Sequence, residues 1–509
     1  MSITDTLTGR TRISGEEFLQ LKLKPETPQV RLRKTVLSRI QHLRNQGFSQ
    51  TETLEKLFPN TVVEEETLQT VVSSLIAGNH ILIFGPSGSG KTNLAKDIWT
   101  LFPKDVLVVE GCPVLDNPFS LLDKNFSKNI PPCPFCKSKL GELKYDELGS
   151  FDVSMVDPKK VNIIKTQLHE GYGYARIQGS SEVFPDHLTG NINLHKLEKI
   201  GDPTSPLVME PGKLMQANRG VLLIDEIGKL PLGSQNVLLQ SLQEFTVTPA
   251  KSRETFPASF IAITTSNLQD LDNITEPLND RLASIHMSFN KVHEKNRRII
   301  SIGLTDNPLT GFVPEIFVDA SIRLIEAWRT KVGENPELSE VGSNRSMIDI
   351  IQRMESYALL QSRTQTNMDD FYLGIKDAMF GRIRARSGDS FAHNTNIVSQ
   401  FIEKNVNEYL KKSAAIYWCR FFKNRLKSDN ALGKEVIKEG RRLINDRELI
   451  SKFKTDKTIF TNFQRFVEYC KETEKFIGNM HEVDVALTVF SIINSLQTFE
   501  CDKISEDEL

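Results

Sequence analysis

The sequence predicts an α/β fold, a parallel sheet between helices, followed by an all-helical remainder. Three observations carry that prediction. A strand, a glycine-rich loop and a helix follow one another over residues 80–99. Near-continuously apolar runs recur at 106–109, 220–224 and 258–266, as strands buried on both faces require. After about residue 290 no strand pattern is convincing, and the spacing of apolar positions is helical.

The elements follow in order. Val30 to Asn45 carries Val30, Leu32, Val36, Ile40 and Leu43 at helical spacing with basic residues between them, within a first stretch of about 60 residues that reads as helical. Glu64 to Ala77 is a second helix, closed by Gly78 as a C-terminal stop. His80-Ile81-Leu82-Ile83-Phe84 is a buried strand, and Asn93 to Trp99 is a helix. Val106–Val109 and Gly220–Ile224 are further strands of the parallel sheet. Residues from Pro113 to about Asp202, rich in Pro, Gly, Asn and Asp, interrupt the alternation as an insertion. Ala258 to Ser266 returns to the sheet. The remaining helices form two bundles, parted near Arg386-Ser387-Gly388-Asp389.

A chain of 509 residues exceeds one ordinary core. The reading divides it into an N-terminal helical segment (1–63), an α/β domain (64–290) with an insertion at about 112–202, a helical lid (291–386) and a C-terminal helical domain (387–509). The formal charge of −2 gives no global drive toward nucleic acid or anionic membrane. The local clusters Arg31, Arg33, Lys34 and Arg382, Arg384, Arg386 read as solvated helix faces. No segment approaches the roughly 20 apolar residues of a membrane span. Met1-Ser2-Ile3-Thr4-Asp5 lacks the pattern of a signal peptide, the acidic end Ser505–Leu509 is a solvated tail, and six cysteines make no disulfide framework, so a cytoplasmic protein is expected.

The chemistry begins at Gly85-Pro86-Ser87-Gly88-Ser89-Gly90-Lys91-Thr92, which matches G-x-x-x-x-G-K-S/T between the strand and the helix that begins at Asn93. Backbone N–H groups of such a loop wrap phosphates, and the helix N-terminus adds partial positive charge. Lys91 is expected to reach the β- and γ-phosphates of ATP, and Thr92 to ligate Mg²⁺. The strand ending in Asp225-Glu226 supplies the second half. Asp225 holds Mg²⁺, and Glu226 serves as general base toward the attacking water. At the end of the next strand, Asn267 is the chosen polar residue to orient that water, the alternative being a plain turn residue.

The run Glu210 to Glu226, with its Asn218-Arg219-Gly220 lead-in, resembles AAA+ ATPases of the magnesium-chelatase small-subunit/MoxR group. So do Leu278-Asn279-Asp280-Arg281-Leu282 and Gly342-Ser343-Asn344-Arg345-Ser346, and the resemblance covers about Glu65 to Arg386. It implies a P-loop AAA+ core, a homo-oligomeric ring of hexamer type and ATP between subunits. It also implies that Arg281 is an arginine finger entering a neighbour's site and Arg345 the sensor-2 arginine of the lid. Residues around 184–200 (Phe184, His187, Leu188, Gly190, Asn191) resemble the family's helix-2 insertion, and Thr246 to Pro257 its β-hairpin, where Lys251 and Arg253 are candidate polymer contacts or solvated loop charges. If the chelatase analogy holds, the partner is a tetrapyrrole-binding subunit assisted by one with a metal-ion-dependent adhesion site.

Cys133-Pro134-Phe135-Cys136 is a C-x-x-C turn preceded by Cys112-Pro113. Thiolates at this spacing chelate structural Zn²⁺, with no fourth ligand evident and His169 the nearest downstream histidine; reduced loop cysteines are the other reading. The segment Gly111 to Leu122 with this turn is similar to the AAA+ region of PrkA-type serine protein kinases. The function expected is an ATP-hydrolysing motor that remodels a partner protein. The alternatives are a serine protein kinase and a DNA-acting ring ATPase, the latter disfavoured by the near-neutral charge and the lack of a recognisable DNA module. Tyr417, Trp418, Phe421, Phe422, Phe463 and Phe466 read as core aromatics of the last domain.

Overall fold

The computed structural model describes residues 12–140, 151–203, 205–250, 252, 254–305, 313, 315–331, 342–363, 366, 368–380, 382, 396, 399–401, 430–444, 446–470, 482, 483, 486, 487 and 490. Lys251, Arg253, Arg384, Arg386–Asp389 and Tyr417 to Phe422 lie outside them. The chain divides into two compact units between Ser288 and Phe289.

The first unit is built on a six-stranded sheet in the order Leu282–His286, His80–Phe84, Ile261–Ser266, Val221–Asp225, Gly173–Gln178 and His169–Glu170. Every pairing among the first five strands is parallel. The register sets Ser266 beside Phe84 and Asp225 beside Gln178, so the C-terminal ends of these strands share one edge, where α/β sheets carry their ligands.

Side chains alternate across the sheet. Leu82, Leu222, Ile224 and Ala262 face one core; Ile81, Ile83, Val221, Leu223, Ile261 and Ile263 face the other. That second core also holds Leu32, Val36 and Leu43 of the Pro28–Asn45 helix, and Leu94 and Ile98 of the Lys91–Leu101 helix. The Glu65–Ala77 helix ends at Gly78 with φ 85°, the left-handed stop expected there.

Two features differ from the sequence reading. Asp105–Val109 is a strand, but not of the parallel sheet: it pairs antiparallel with Asn162–Gln167, which also pairs antiparallel with Arg12–Ser14. The Arg12–Ser14 strand likewise departs from a wholly helical N-terminal stretch. Beside Val221–Asp225 lies Gly173–Gln178, a strand from within the 112–202 insertion that the sequence reading did not place in the sheet. The insertion is therefore part of the sheet that forms the site. Thr246–Val247 pairs with Phe256–Pro257 as the expected hairpin.

The described part of the second unit has no strand. Its helices include Glu315–Lys331, Asn344–Leu360, Met368–Phe380, Asn430–Ile444 and Thr461–Cys470, and Trp328, Phe371, Phe463 and Phe466 are fully buried in its core. No helix among the described residues is long and apolar enough to cross a membrane.

Candidate nucleotide site

The loop Gly85–Gly90 leaves the end of a central strand and enters the helix Lys91–Leu101 through Gly90, whose φ of 104° favours glycine. At Gly85 a Cβ would stand 2.1 Å from the Met287 carbonyl oxygen, so the loop closes against the neighbouring strand's end only without a side chain. The helix N-terminus turns its N–H groups toward this loop. Pro86, Ser87, Gly88 and Ser89 form its arch, and Asn93 sits exposed in the first turn of the helix.

Lys91 is buried, and its ammonium donates to the carbonyls of Gly85 (2.9 Å) and Pro86 (2.8 Å) and to Asn267 Oδ1 at 3.1 Å. Asn267 Nδ2 in turn donates to Glu226 Oε1 at 3.2 Å. One amide thus bridges the loop lysine and the acidic strand's carboxylate. Thr92 Oγ1 donates to Asp225 Oδ1 at 3.1 Å, and Thr265 Oγ1 reaches the same oxygen at 3.2 Å. This donor set suits ATP with Mg²⁺: a hydroxyl and a carboxylate converge at the helix entry, beside a loop whose Gly88 and Gly90 take left-handed φ of 74° and 104°.

Glu226 adopts a left-handed backbone (φ 57°, ψ 52°) that turns the chain out of its strand, and its N–H donates to Thr265 Oγ1 at 3.1 Å. That conformation is uncommon for a residue other than glycine and costs on the order of 1 kcal/mol or more. It presents the carboxylate to three partners: Asn267, Gln178 Nε2 at 2.9 Å on Oε2, and Lys229 Nζ at 3.0 Å.

Sequence reasoning missed two residues here. Arg176 donates to Asp225 Oδ2 from Nη2 at 2.6 Å and from Nε at 3.2 Å, and Gln178 holds Glu226. Both come from the Gly173–Gln178 strand inside the insertion. Their signal was the alternation Tyr174-Ala175-Arg176-Ile177-Gln178 inside the insertion.

Arg281 follows the short helix Glu276–Asn279, and its guanidinium donates to the Pro277 carbonyl at 2.5 Å, outside the Lys91–Asn267–Glu226 chain. Arg345 lies exposed in the first turn of the Asn344–Leu360 helix of the second unit. The three cysteines Cys112, Cys133 and Cys136 do converge, in the first unit and fully buried, and the fourth group among them is Asp116. His169 stands exposed on the sheet's edge strand and is no member of that cluster.

Residues 75–301 match the family model described as the PrkA AAA domain. The first unit has an α/β P-loop fold of AAA+ type, and this match covers less than half of the chain. Its P-loop core also resembles a magnesium-chelatase subunit ChlI homolog from Methanocaldococcus jannaschii, 21% identical, over 65% of this chain and 85% of that protein. An archaeal Lon protease from Thermococcus kodakarensis is 22% identical over 56% of this chain and 53% of its own length. The chain thus spans about half the length of that relative. Among solved structures, the BchI–BchD magnesium-chelatase complex aligns with 65% of this chain and 96% of the matched chain at 20% identity, with a TM-score of 0.32.

Proposed function

We propose that this AAA+ protein hydrolyses ATP to ADP and phosphate and uses the cycle to remodel a partner protein. The observation that carries the reading is the continuous chain Lys91–Asn267–Glu226 beside the Thr92–Asp225 pair. ATP bound there, with Mg²⁺, supplies the γ-phosphoryl group and the charge neutralisation that its transfer needs.

The chain's own residues do the rest. Lys91 and the N–H groups of Gly88 to Thr92 bind phosphate oxygens. Thr92 Oγ1 and Asp225 Oδ1 would hold Mg²⁺, with Asp225 kept in place by Arg176 on its other oxygen. Glu226 accepts the proton of the attacking water at its carboxylate, and Asn267 fixes both that carboxylate and the ammonium of Lys91. Arg281, free of the Lys91–Glu226 chain, suits a finger that enters the site of the next subunit in a ring, and Arg345 a sensor on the lid. A ring, of hexamer type, and a protein partner are the assembly this reading implies. The likeness to chelatase subunits makes a chelatase-like or adhesion-site subunit the first partner to try.

The match to the PrkA AAA domain keeps protein-serine phosphorylation as the competing output. Full-length protein incubated with γ-labelled ATP, Mg²⁺ and a cell extract separates the two. Label recovered as free phosphate supports hydrolysis; label retained on serine, with little free phosphate, overturns it.

A further inference from the structure

Across the first unit's sheet, on the side away from the Lys91 helix, two proline turns meet. Cys112-Pro113 follows the Asp105–Val109 strand, and Cys133-Pro134-Phe135-Cys136 opens the short helix Pro134–Lys139. Cys112, Cys133 and Cys136 are 4%, 0% and 1% exposed, and Asp116 is 0% exposed. One ligand atom from each of the four lies within 4.8 Å of all the others, with the Cys112 and Cys133 sulfurs 3.4 Å apart. A zinc tetrahedron with Zn–S bonds of about 2.3 Å has edges of about 3.8 Å, so the four atoms already stand near its corners.

We propose that Cys112, Cys133, Cys136 and Asp116 bind one structural Zn²⁺ through three thiolates and a carboxylate. The surroundings are those of metal-bound thiolates. The Asp116 N–H donates to Cys112 Sγ at 3.3 Å and the Cys136 N–H to Cys133 Sγ at 3.3 Å. Such N–H···S bonds hold ligand sulfurs in orientation and offset their charge. Asp116 ties the two turns together, accepting from the Cys133 N–H at 2.7 Å and from the Asn117 N–H at 3.0 Å, each oxygen keeping a further lone pair.

Charge agrees. Three thiolates, one carboxylate and Zn²⁺ sum to a net negative centre, and a buried negative centre needs a nearby cation. The guanidinium of Arg219 is buried within electrostatic reach of Asp116, and its Nε has no hydrogen-bond partner among the described residues. Thiolate sulfur with one oxygen also selects Zn²⁺ over Mg²⁺, so the site does not compete with the nucleotide's own cation.

The location gives the ion a purpose. Asn218 Nδ2 donates to the Val114 carbonyl inside the first turn at 2.7 Å, while its Oδ1 accepts from the Ser259 N–H at 2.9 Å. The cysteine turns are therefore pinned where the Val221–Asp225 and Ile261–Ser266 strands begin. The ion is a clasp that holds the insertion on the sheet.

Full-length protein purified under reducing conditions without chelator is expected to carry about one zinc per chain, and Co²⁺ exchanged into it to show the visible bands of a tetrahedral thiolate site. Cys133→Ser should lose the metal. Asp116→Ala should bind Co²⁺ with shifted bands and lower affinity, a spectral change that a merely structural carboxylate would not cause. Zinc below about a tenth of an equivalent with no Co²⁺ spectrum, a Cys112–Cys133 disulfide in its place, or bands unmoved by Asp116→Ala would overturn the assignment.

Discussion

Arg176 grips Asp225, its Nη2 lying 2.6 Å from the Oδ2 of the carboxylate while the Oδ1 faces Thr92. The two oxygens are divided between a protein cation and the hydroxyl with which a metal ion would be shared. Arg176 is thus a positioning residue. Its side chain is 42% exposed, so the pair is partly screened and worth roughly 1 kcal/mol or less. Arg176→Met should raise the Mg²⁺ concentration for half-maximal phosphate release about two- to fivefold. Arg176→Lys should restore part of the shift. An unchanged Mg²⁺ titration would show that the grip does not position Asp225.

Asn267 links Lys91 to Glu226 through one side chain. On the proposed reading, removing the amide leaves the loop intact and the attacking water unoriented. Asn267→Ala should lower kcat by about tenfold or more, the scale of lost preorganised donors, with ATP affinity changed little. Loss of ATP affinity at unchanged kcat would assign Asn267 to binding instead.

The phosphate loop, the Asp225-Glu226 strand and the Gly78 stop were legible because each rests on local chemistry, a glycine at positive φ or an apolar run, whereas the 246–257 hairpin was expected only from the family resemblance. Pairing direction was not legible. Asp105–Val109 is apolar on both faces, Leu107 and Val109 toward one core and Val106 and Val108 toward the other. Continuous apolarity reports burial on two sides and nothing about which strand lies alongside. Gly173–Gln178 was hidden by the opposite cause. Its C-terminal end carries Arg176 and Gln178 because it faces the site, and those polar residues break the pattern of a buried parallel strand. Asp116 escaped notice because it stands four residues after Cys112 in a non-helical turn, where no spacing rule nominates a carboxylate ligand.

Gly179 follows that strand and approaches the Asp-Glu turn closely: a Cβ there would lie 2.1 Å from the Glu226 carbonyl oxygen and 2.9 Å from that of Asp225. Gly179→Ala must push the two chains apart, at a cost of about 1–3 kcal/mol. Denaturant unfolding should show the lower stability, and phosphate release should fall with it. An unperturbed unfolding midpoint would mean that the approach relaxes freely.

In the second unit, His293 stands 2.9 Å from Asp319 and 3.8 Å from Glu326, and Arg297 joins the same aspartate. Hydrogen bonds that the ring N–H groups donate to the Asp319 and Glu326 carboxylates raise the imidazole pKa from 6.5 to about 9. The folded value exceeds the unfolded one, so the stabilisation is complete below about pH 6.5 and is lost as pH rises through about 9. The melting temperature of the full chain should fall between pH 7 and pH 9.5 by more than that of His293→Gln. Parallel profiles for the two proteins would remove the imidazolium from the explanation.

The general-base assignment stands or falls on Glu226, which the left-handed turn presents to Asn267 and Gln178. The decisive measurement is a single-turnover assay of Glu226→Gln with Mg²⁺ and labelled ATP, alongside equilibrium ATP binding. The expected result is binding within about threefold of the wild type and hydrolysis slower by about 10²- to 10⁴-fold, the contribution of a positioned general base. Hydrolysis at the wild-type rate by a folded, ATP-saturated Glu226→Gln protein would contradict it.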